Sequence, residues 1–180
     1  MLVGVVVCCG GCAATASPMI EQSIVNSPAT SAGLTIYIQT HTPFATSDGP
    51  AFGLRIDHFV QASPYVDYDR SRYLFEFGYS QIPRGYRRSI GWELMAMVGA
   101  ARGAMGASEP TRIAFAGGAA FALPIRLGDA AFGDNALLRP TFLLVPFLNA
   151  TFAYPVAEQF QPQIGGGIGF RIHLDSTLFP

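Results

Sequence analysis

The chain has 180 residues, of which 50% are hydrophobic and 13% are charged, and its formal net charge is −1. A charged share this far below the usual value of about 25% excludes a disordered chain and an ordinary, highly charged soluble surface. The near-neutral net charge gives no basis for binding nucleic acid. No run reaches the roughly 18 apolar residues of a membrane-spanning helix, so the hydrophobic residues are expected in strands that face a core or lipid.

Residues 1–16 resemble a bacterial export segment, because a short apolar run at 2–7 is followed by small residues. Two processing routes stay open. The Ala-Thr-Ala sequence at 14–16 matches a signal-peptidase site, whereas the Gly-Gly-Cys sequence at 10–12 resembles the end of a lipoprotein box. In the second route Cys12 is the lipidation candidate.

The rest of the chain is predicted to hold a polar linker, residues 17–32, and one β-barrel domain, residues 33–180. All three cysteines lie within the first twelve residues, so the predicted domain has no thiol for a disulfide or a zinc site. No metal ion and no cofactor are expected.

From residue 33 onward, runs of alternating large apolar and small or polar side chains predict β-strands, separated by turns rich in Gly, Pro, Asp and Asn. These runs are longer than the average of about 5–6 residues for strands of globular domains. They are long enough for the roughly 9–11 residues of a membrane-spanning strand. In chain order the predicted strands are 33–42, 51–61, 71–80, 88–101, 111–127, 138–153 and 160–174.

The two faces of most runs are unequal. In the third run, Tyr73 and Phe75 point to one side, and Leu74, Glu76 and Gly78 to the other. The second face of a soluble sheet is usually polar and well charged, whereas here it is small and carries only isolated charges. Small side chains suit the inside of a narrow barrel and large ones suit a wall in lipid. The pattern therefore predicts that the bulky face points outward.

Aromatic residues near the ends or flanks of the runs are typical of the interfacial girdles of membrane barrels. Ordinary enrichment of aromatics in strands is the alternative explanation. The predicted girdle residues are Tyr37, Tyr73, Tyr79, Trp92 and Tyr154.

Together, the alternating runs and the glycine-rich last strand from Gln163 to Leu174 resemble the small bacterial outer-membrane β-barrel proteins. The resemblance implies an all-β fold, a single closed antiparallel up-and-down β-barrel. Such barrels have an even number of strands, so we expect eight. The eighth would lie in residues 19–28, or the long run 111–127 would be misread as one strand. The family's terminal aromatic residue has a counterpart in Phe179, which is followed by Pro180.

Isolated charges recur on the small face of several runs. A barrel interior would bring them together, and buried charges must pair because an uncompensated one is very costly. We predict an interior ion-pair cluster that fills the lumen; a pore lining is the alternative. Its predicted members are Arg55, Asp57, Glu76, Glu93, Arg126 and Arg171.

Three functional hypotheses follow. The first is an outer-membrane barrel with a structural, surface-interaction or narrow-channel role and no catalysis, whose partner is membrane lipid and whose other ligands are unknown. The second is a periplasmic or lipid-tethered soluble barrel that binds an apolar ligand, with its large side chains pointing inward. The third is an outer-membrane lipid hydrolase using His173, Asp175 and Ser176, although neighbouring positions on a strand point to opposite faces.

Overall fold

The computed structural model describes residues 11–23, 30–41, 48–62, 67–83, 88–105, 110–130, 138–154 and 162–176. Almost all of them lie in antiparallel strands, and among them no helix is long and apolar enough to cross a membrane. The strands are β1 (Gly11–Ser23), β2 (Thr30–His41), β3 (Asp48–Ala62), β4 (Asp67–Gln81), β5 (Trp92–Met105), β6 (Arg112–Ala122), β7 (Ile125–Asp129), β8 (Leu138–Tyr154) and β9 (Gln163–Ser176).

The sheet closes on itself. Each strand from β1 to β5 pairs with the next one along the chain, β8 pairs with β9, and β9 pairs with β1. The ring is completed by β8, which also pairs with both β6 and β7. Closure leaves no open edge, so the backbone polar groups of the wall are satisfied within the sheet.

β6 and β7 are two halves of one barrel strand, so the described part of the chain forms an eight-stranded barrel. Pro124 lies between the halves and has no N–H group for the ladder. Backbone hydrogen bonds to the segments on either side continue at this break, since Gly91 N donates to Pro124 O at 2.8 Å and Leu123 N donates to Pro146 O at 2.9 Å. The predicted all-β, closed, up-and-down architecture with eight strands is confirmed.

The eighth strand is β1, which begins earlier in the chain than the sequence analysis placed it. Residues 17–23 complete β1, and Thr30 opens β2, so the prediction of a linker over 17–32 is wrong for these positions. Small residues fit here because Ala13, Thr15 and Ser17 point into the crowded lumen. Cleavage after Ala16 would remove half of a strand that pairs with both β2 and β9.

The wall has the predicted orientation. Most small and charged side chains of the strands are buried in the lumen, whereas most of the bulky apolar ones are exposed on the outside. Phe75 is 43% exposed and its neighbour Leu74 only 2%. The hypothesis of a soluble barrel that binds an apolar ligand requires the large apolar face to point inward. In the structure this face points outward.

Two apolar clusters pack inside the barrel beside the charges. One is built largely from alanines of β5 and β6 with Leu74, and the other contains Met19, Phe59 and Phe147. The alanines give β6 a thin face toward the lumen, which leaves room for the long arginine side chains of other strands.

Truncation tests the role of β1. A chain that begins at Ser17 loses the residues through which β1 pairs with Ile36–Thr40 of β2 and with Phe170–Asp175 of β9. We expect it to fail to form the compact species that migrates faster on a gel before heating than after. A chain that begins at Gly11 should form that species; equal folding of the two chains would contradict the assignment of β1 to the barrel.

Candidate functional site

The barrel interior contains four arginines and four carboxylates among the described residues, and all are at most 3% exposed. Equal numbers of opposite charges keep the lumen close to neutral, which is the condition under which buried charges are tolerated. The arginines are Arg55, Arg70, Arg72 and Arg171; the carboxylates are Glu21, Asp57, Glu76 and Glu93. We call these eight residues the lumen cluster.

Two of the eight residues of the lumen cluster form a bidentate pair. Arg171 of β9 donates from Nη1 and Nη2 to the two carboxylate oxygens of Glu93 of β5, at 2.5 and 2.7 Å. Its remaining donors reach Thr15 Oγ1 at 2.8 Å and Tyr37 Oη at 2.6 Å, while Ser80 Oγ donates to Glu93 Oε1 at 2.7 Å. This pair crosses the lumen between strands that are not neighbours and ties β1, β2, β4, β5 and β9 together.

The other six residues form a chain of alternating charges. Arg72 bridges two carboxylates, with Nη2 at 2.5 Å from Glu21 Oε1 and at 2.7 Å from Asp57 Oδ2. Arg70 Nη2 lies 2.7 Å from Glu21 Oε2, and Arg55 Nε lies 2.7 Å from Asp57 Oδ1. Charge-assisted bonds of this kind are roughly twice as strong as neutral ones.

Neutral side chains complete the hydrogen bonding of this chain of charges. Asn149 Nδ2 donates to Glu21 Oε1 at 2.8 Å, and Thr151 Oγ1 accepts from Arg72 Nη1 at 2.5 Å. Gln163 accepts from Arg70. β8 and β9 are thereby joined to β1 and β4 across the lumen.

Aromatic rings cover the guanidinium groups. The guanidinium carbons of Arg70 and Arg72 lie 4.7 and 4.8 Å from the centre of the Phe59 ring, which is fully buried. Arg171 lies 5.1 Å from the Tyr37 ring in the same way. Cation–π contacts of this geometry stabilise a desolvated cation.

A small cavity lies beside Glu76, the carboxylate whose closest arginine contact, Arg55 Nη1 to Glu76 Oε1, is long at 3.5 Å. Gly53 separates Gln39 from Glu76 in the register of β2, β3 and β4 and places no side chain between them. The cavity measures about 10 Å³, and Gln39 Oε1 and Glu76 Oε2 have no protein hydrogen-bond partner. This volume suits one water molecule, which could donate to both oxygens.

Five of the six predicted cluster residues meet in the lumen: Arg55, Asp57, Glu76, Glu93 and Arg171. Arg126 does not join them. It lies in β7 near the end of the barrel and pairs with Asp129 three residues later. The prediction of a shared cluster is therefore wrong for Arg126, because its partner is local.

Sequence analysis missed Glu21, Arg70 and Arg72. Glu21 falls in the segment predicted to be a linker, and Arg70 in the turn before the third run. Side chains two and four residues before Leu74 lie on the same face of the strand, so the alternation would have placed Arg72 and Arg70 on the inner face. Tyr37, predicted for the girdle, is instead buried at 5% exposure inside the barrel, whereas the other predicted girdle residues are exposed.

The positions named for the lipid-hydrolase hypothesis do not form a described site. His173 is fully buried in the lumen. The side chains of Asp175 and Ser176 lie outside the described residues. No group of three or more His, Cys, Asp or Glu side chains within the described ranges could hold a metal ion.

The Arg171–Glu93 pair can be tested with a double-mutant cycle. Arg171→Met alone should lower the free energy of unfolding by about 3–5 kcal/mol, because Glu93 is left as a buried, uncompensated charge. Adding Glu93→Gln should recover much of this loss. The control is Arg88→Gln: Arg88 forms an exposed pair with Asp48 at 3.3 Å, so its loss should cost no more than about 1 kcal/mol. Additive effects of the two lumen substitutions would contradict a direct pair.

Gly165 provides a second test. A Cβ atom at this position would lie 2.4 Å from Glu21 Cγ and 2.6 Å from the Ile20 carbonyl oxygen. Gly165→Ala should therefore cost about 1–3 kcal/mol in urea unfolding, through overpacking against the lumen cluster. Gly128→Ala is the matched control, because a Cβ there meets nothing within 4 Å and should change stability by no more than about 0.5 kcal/mol. Equal costs would contradict the packing described.

Comparisons with known proteins support the fold. No family model and no curated protein sequence matches the chain. Among solved structures, Neisserial surface protein A shares 10% identity over 92% of this chain and 96% of its own, with a TM-score of 0.59. Ail, the attachment invasion locus protein of Yersinia pestis, shares 10% identity over 91% of this chain and 98% of its own, with a TM-score of 0.51. The chain thus has the closed eight-stranded fold of the small bacterial outer-membrane β-barrels that its alternating strands resemble.

Proposed function

We propose that this protein is a resident of the bacterial outer membrane, a barrel with a closed lumen whose role is structural and not catalytic. The observation that carries the proposal is the inversion of its faces. Bulky apolar side chains cover the outside, while eight charged side chains are buried within. A water-soluble barrel would have the reverse arrangement.

The lumen cluster argues against a conducting role. The Arg171–Glu93 pair and the Arg72 bridges cross the lumen, where an eight-stranded barrel has only enough width for side chains to fill it. Moving an ion through would require breaking buried, bidentate contacts. The narrow-channel variant of the hypothesis is therefore the less favoured one.

The connections between strands argue against a role carried by long loops. We call the end of the barrel away from β9's last residue the distal end, and the connections there comprise residues 24–29, 63–66, 106–111 and 155–162. At the other end they comprise residues 42–47, 82–91 and 130–137, so the longest connection is 82–91. Outer-membrane barrels that act through their loops usually carry longer ones on one side. The wall, and not the loops, is the larger surface that this chain offers to a partner.

Expression with an export signal in a Gram-negative host tests the proposal. We expect the protein to fractionate with the outer membrane and to migrate faster on a gel before heating than after. In planar lipid bilayers the refolded protein should show no stable conductance steps. The folded variant carrying both Arg171→Met and Glu93→Gln should conduct more readily, because the pair that crosses the lumen is gone. A wild-type protein that stays soluble without detergent, or that conducts steadily, would contradict the proposal.

A further inference from the structure

A short polar row interrupts the apolar outer wall near the distal end. His58 of β3 lies opposite Ser71 of β4, and Ser71 lies opposite Arg102 of β5. All three occupy outward positions, since the residues beside each of them along the strand are buried. His58 and Arg102 are exposed, and His58 Nδ1 is 3.0 Å from Ser71 Oγ.

The row lies beside a continuous apolar part of the outer wall on three neighbouring strands. On each strand, the large outward side chains between the row and the opposite end of the barrel are apolar or aromatic. They are Phe52, Leu54 and Ile56 on β3; Tyr73, Phe75, Phe77 and Tyr79 on β4; and Trp92, Leu94 and Val98 on β5. The next outward residue is His58 on β3 and Ser71 on β4. On β5, Ala100 follows Val98, and Arg102 is the outward residue after Ala100.

An arginine on the lipid face of a barrel is costly at the bilayer centre and nearly neutral at the interface. Arg102 therefore fixes the level of the row at the headgroups if the wall is in a membrane. Lipid phosphate groups lie at this level. The acyl chains would contact the apolar side chains between the row and the opposite end of the barrel.

Arg102 has no carboxylate partner within the described part of the chain, and its register partners are Ser71 and Ile113. Two arginines with described side chains at the other end of the barrel differ in this respect. Arg88 pairs with Asp48, and Arg126 pairs with Asp129. Among the described side chains no carboxylate neutralises Arg102, so its guanidinium group is open to an anion from outside the protein.

We propose that His58, Ser71 and Arg102 form a binding site for the phosphate group of a membrane lipid. The guanidinium fork of Arg102 matches the geometry of phosphate oxygens, and the Ser71 hydroxyl adds a polar contact beside it. The acyl chains of the same lipid lie along the apolar wall between β4 and β5. The inference rests on the proposed membrane location, and it names lipid phosphate as the partner of the wall.

Native mass spectrometry of lipids retained by the refolded barrel tests the site. Wild type, Arg102→Gln and Arg88→Gln are first checked for the heat-modifiable gel shift, and each is then offered phosphatidic acid and, separately, uncharged diacylglycerol. We expect Arg102→Gln to retain about fivefold less phosphatidic acid than wild type, the effect of one basic residue at an anionic lipid surface. Arg88→Gln should match wild type, Arg102→Lys should be intermediate, and diacylglycerol retention should not differ.

Three results would overturn the site. Equal retention of phosphatidic acid by folded wild type and Arg102→Gln would show that Arg102 does not bind it. Displacement of the lipid by an equal concentration of inorganic phosphate would show an anion site and not a lipid site. Asp69 lies two residues before Ser71 on β4; retention that appears only after Asp69→Asn would show that its carboxylate neutralises Arg102. Failure of wild type to enter detergent micelles or membranes would instead overturn the proposed function itself.

Discussion

The wall of this barrel can turn its bulky apolar side chains outward only because the charges that it turns inward neutralise one another. A narrow lumen gives a charged side chain little water, so each arginine must find a carboxylate and each carboxylate a donor. The lumen cluster meets this condition with four residues of each sign. Without that balance, the same alternation of residues would favour a barrel with the opposite faces inside.

The pairing also holds the barrel closed. Backbone hydrogen bonds connect only neighbouring strands, whereas Arg171 reaches from β9 to β5 and Arg72 reaches from β4 to β1. These contacts need space as well as charge. Gly165 supplies it beside Glu21, and the alanines of β6 supply it on the other side of the lumen. Small residues and long arginines are two parts of one packing solution.

Much of the fold could be predicted from sequence because large and small side chains alternate along whole strands. Seven runs, and the inner faces of most of them, followed from alternation alone. The first strand was missed because Gly11–Ala16 has the small-residue composition of an export signal, which masks its alternation. Which arginine meets which carboxylate could not be predicted, since Arg171 and Glu93 are 78 residues apart and their contact depends on how the sheet closes. Arg126 shows the same limit, because its charge is satisfied within its own strand by Asp129.

The orientation of the faces is the central claim, and a matched pair of substitutions tests it most directly. Phe75 is 43% exposed on the wall, whereas Phe147 is 6% exposed and lines the small interior cavity. With Trp92 replaced by Phe, a single tryptophan is placed at Phe75 or at Phe147, and the barrel is refolded into vesicles containing lipids with brominated acyl chains. The account predicts strong quenching of tryptophan fluorescence at position 75 and much weaker quenching at position 147. Equal quenching, or stronger quenching at position 147, would contradict it.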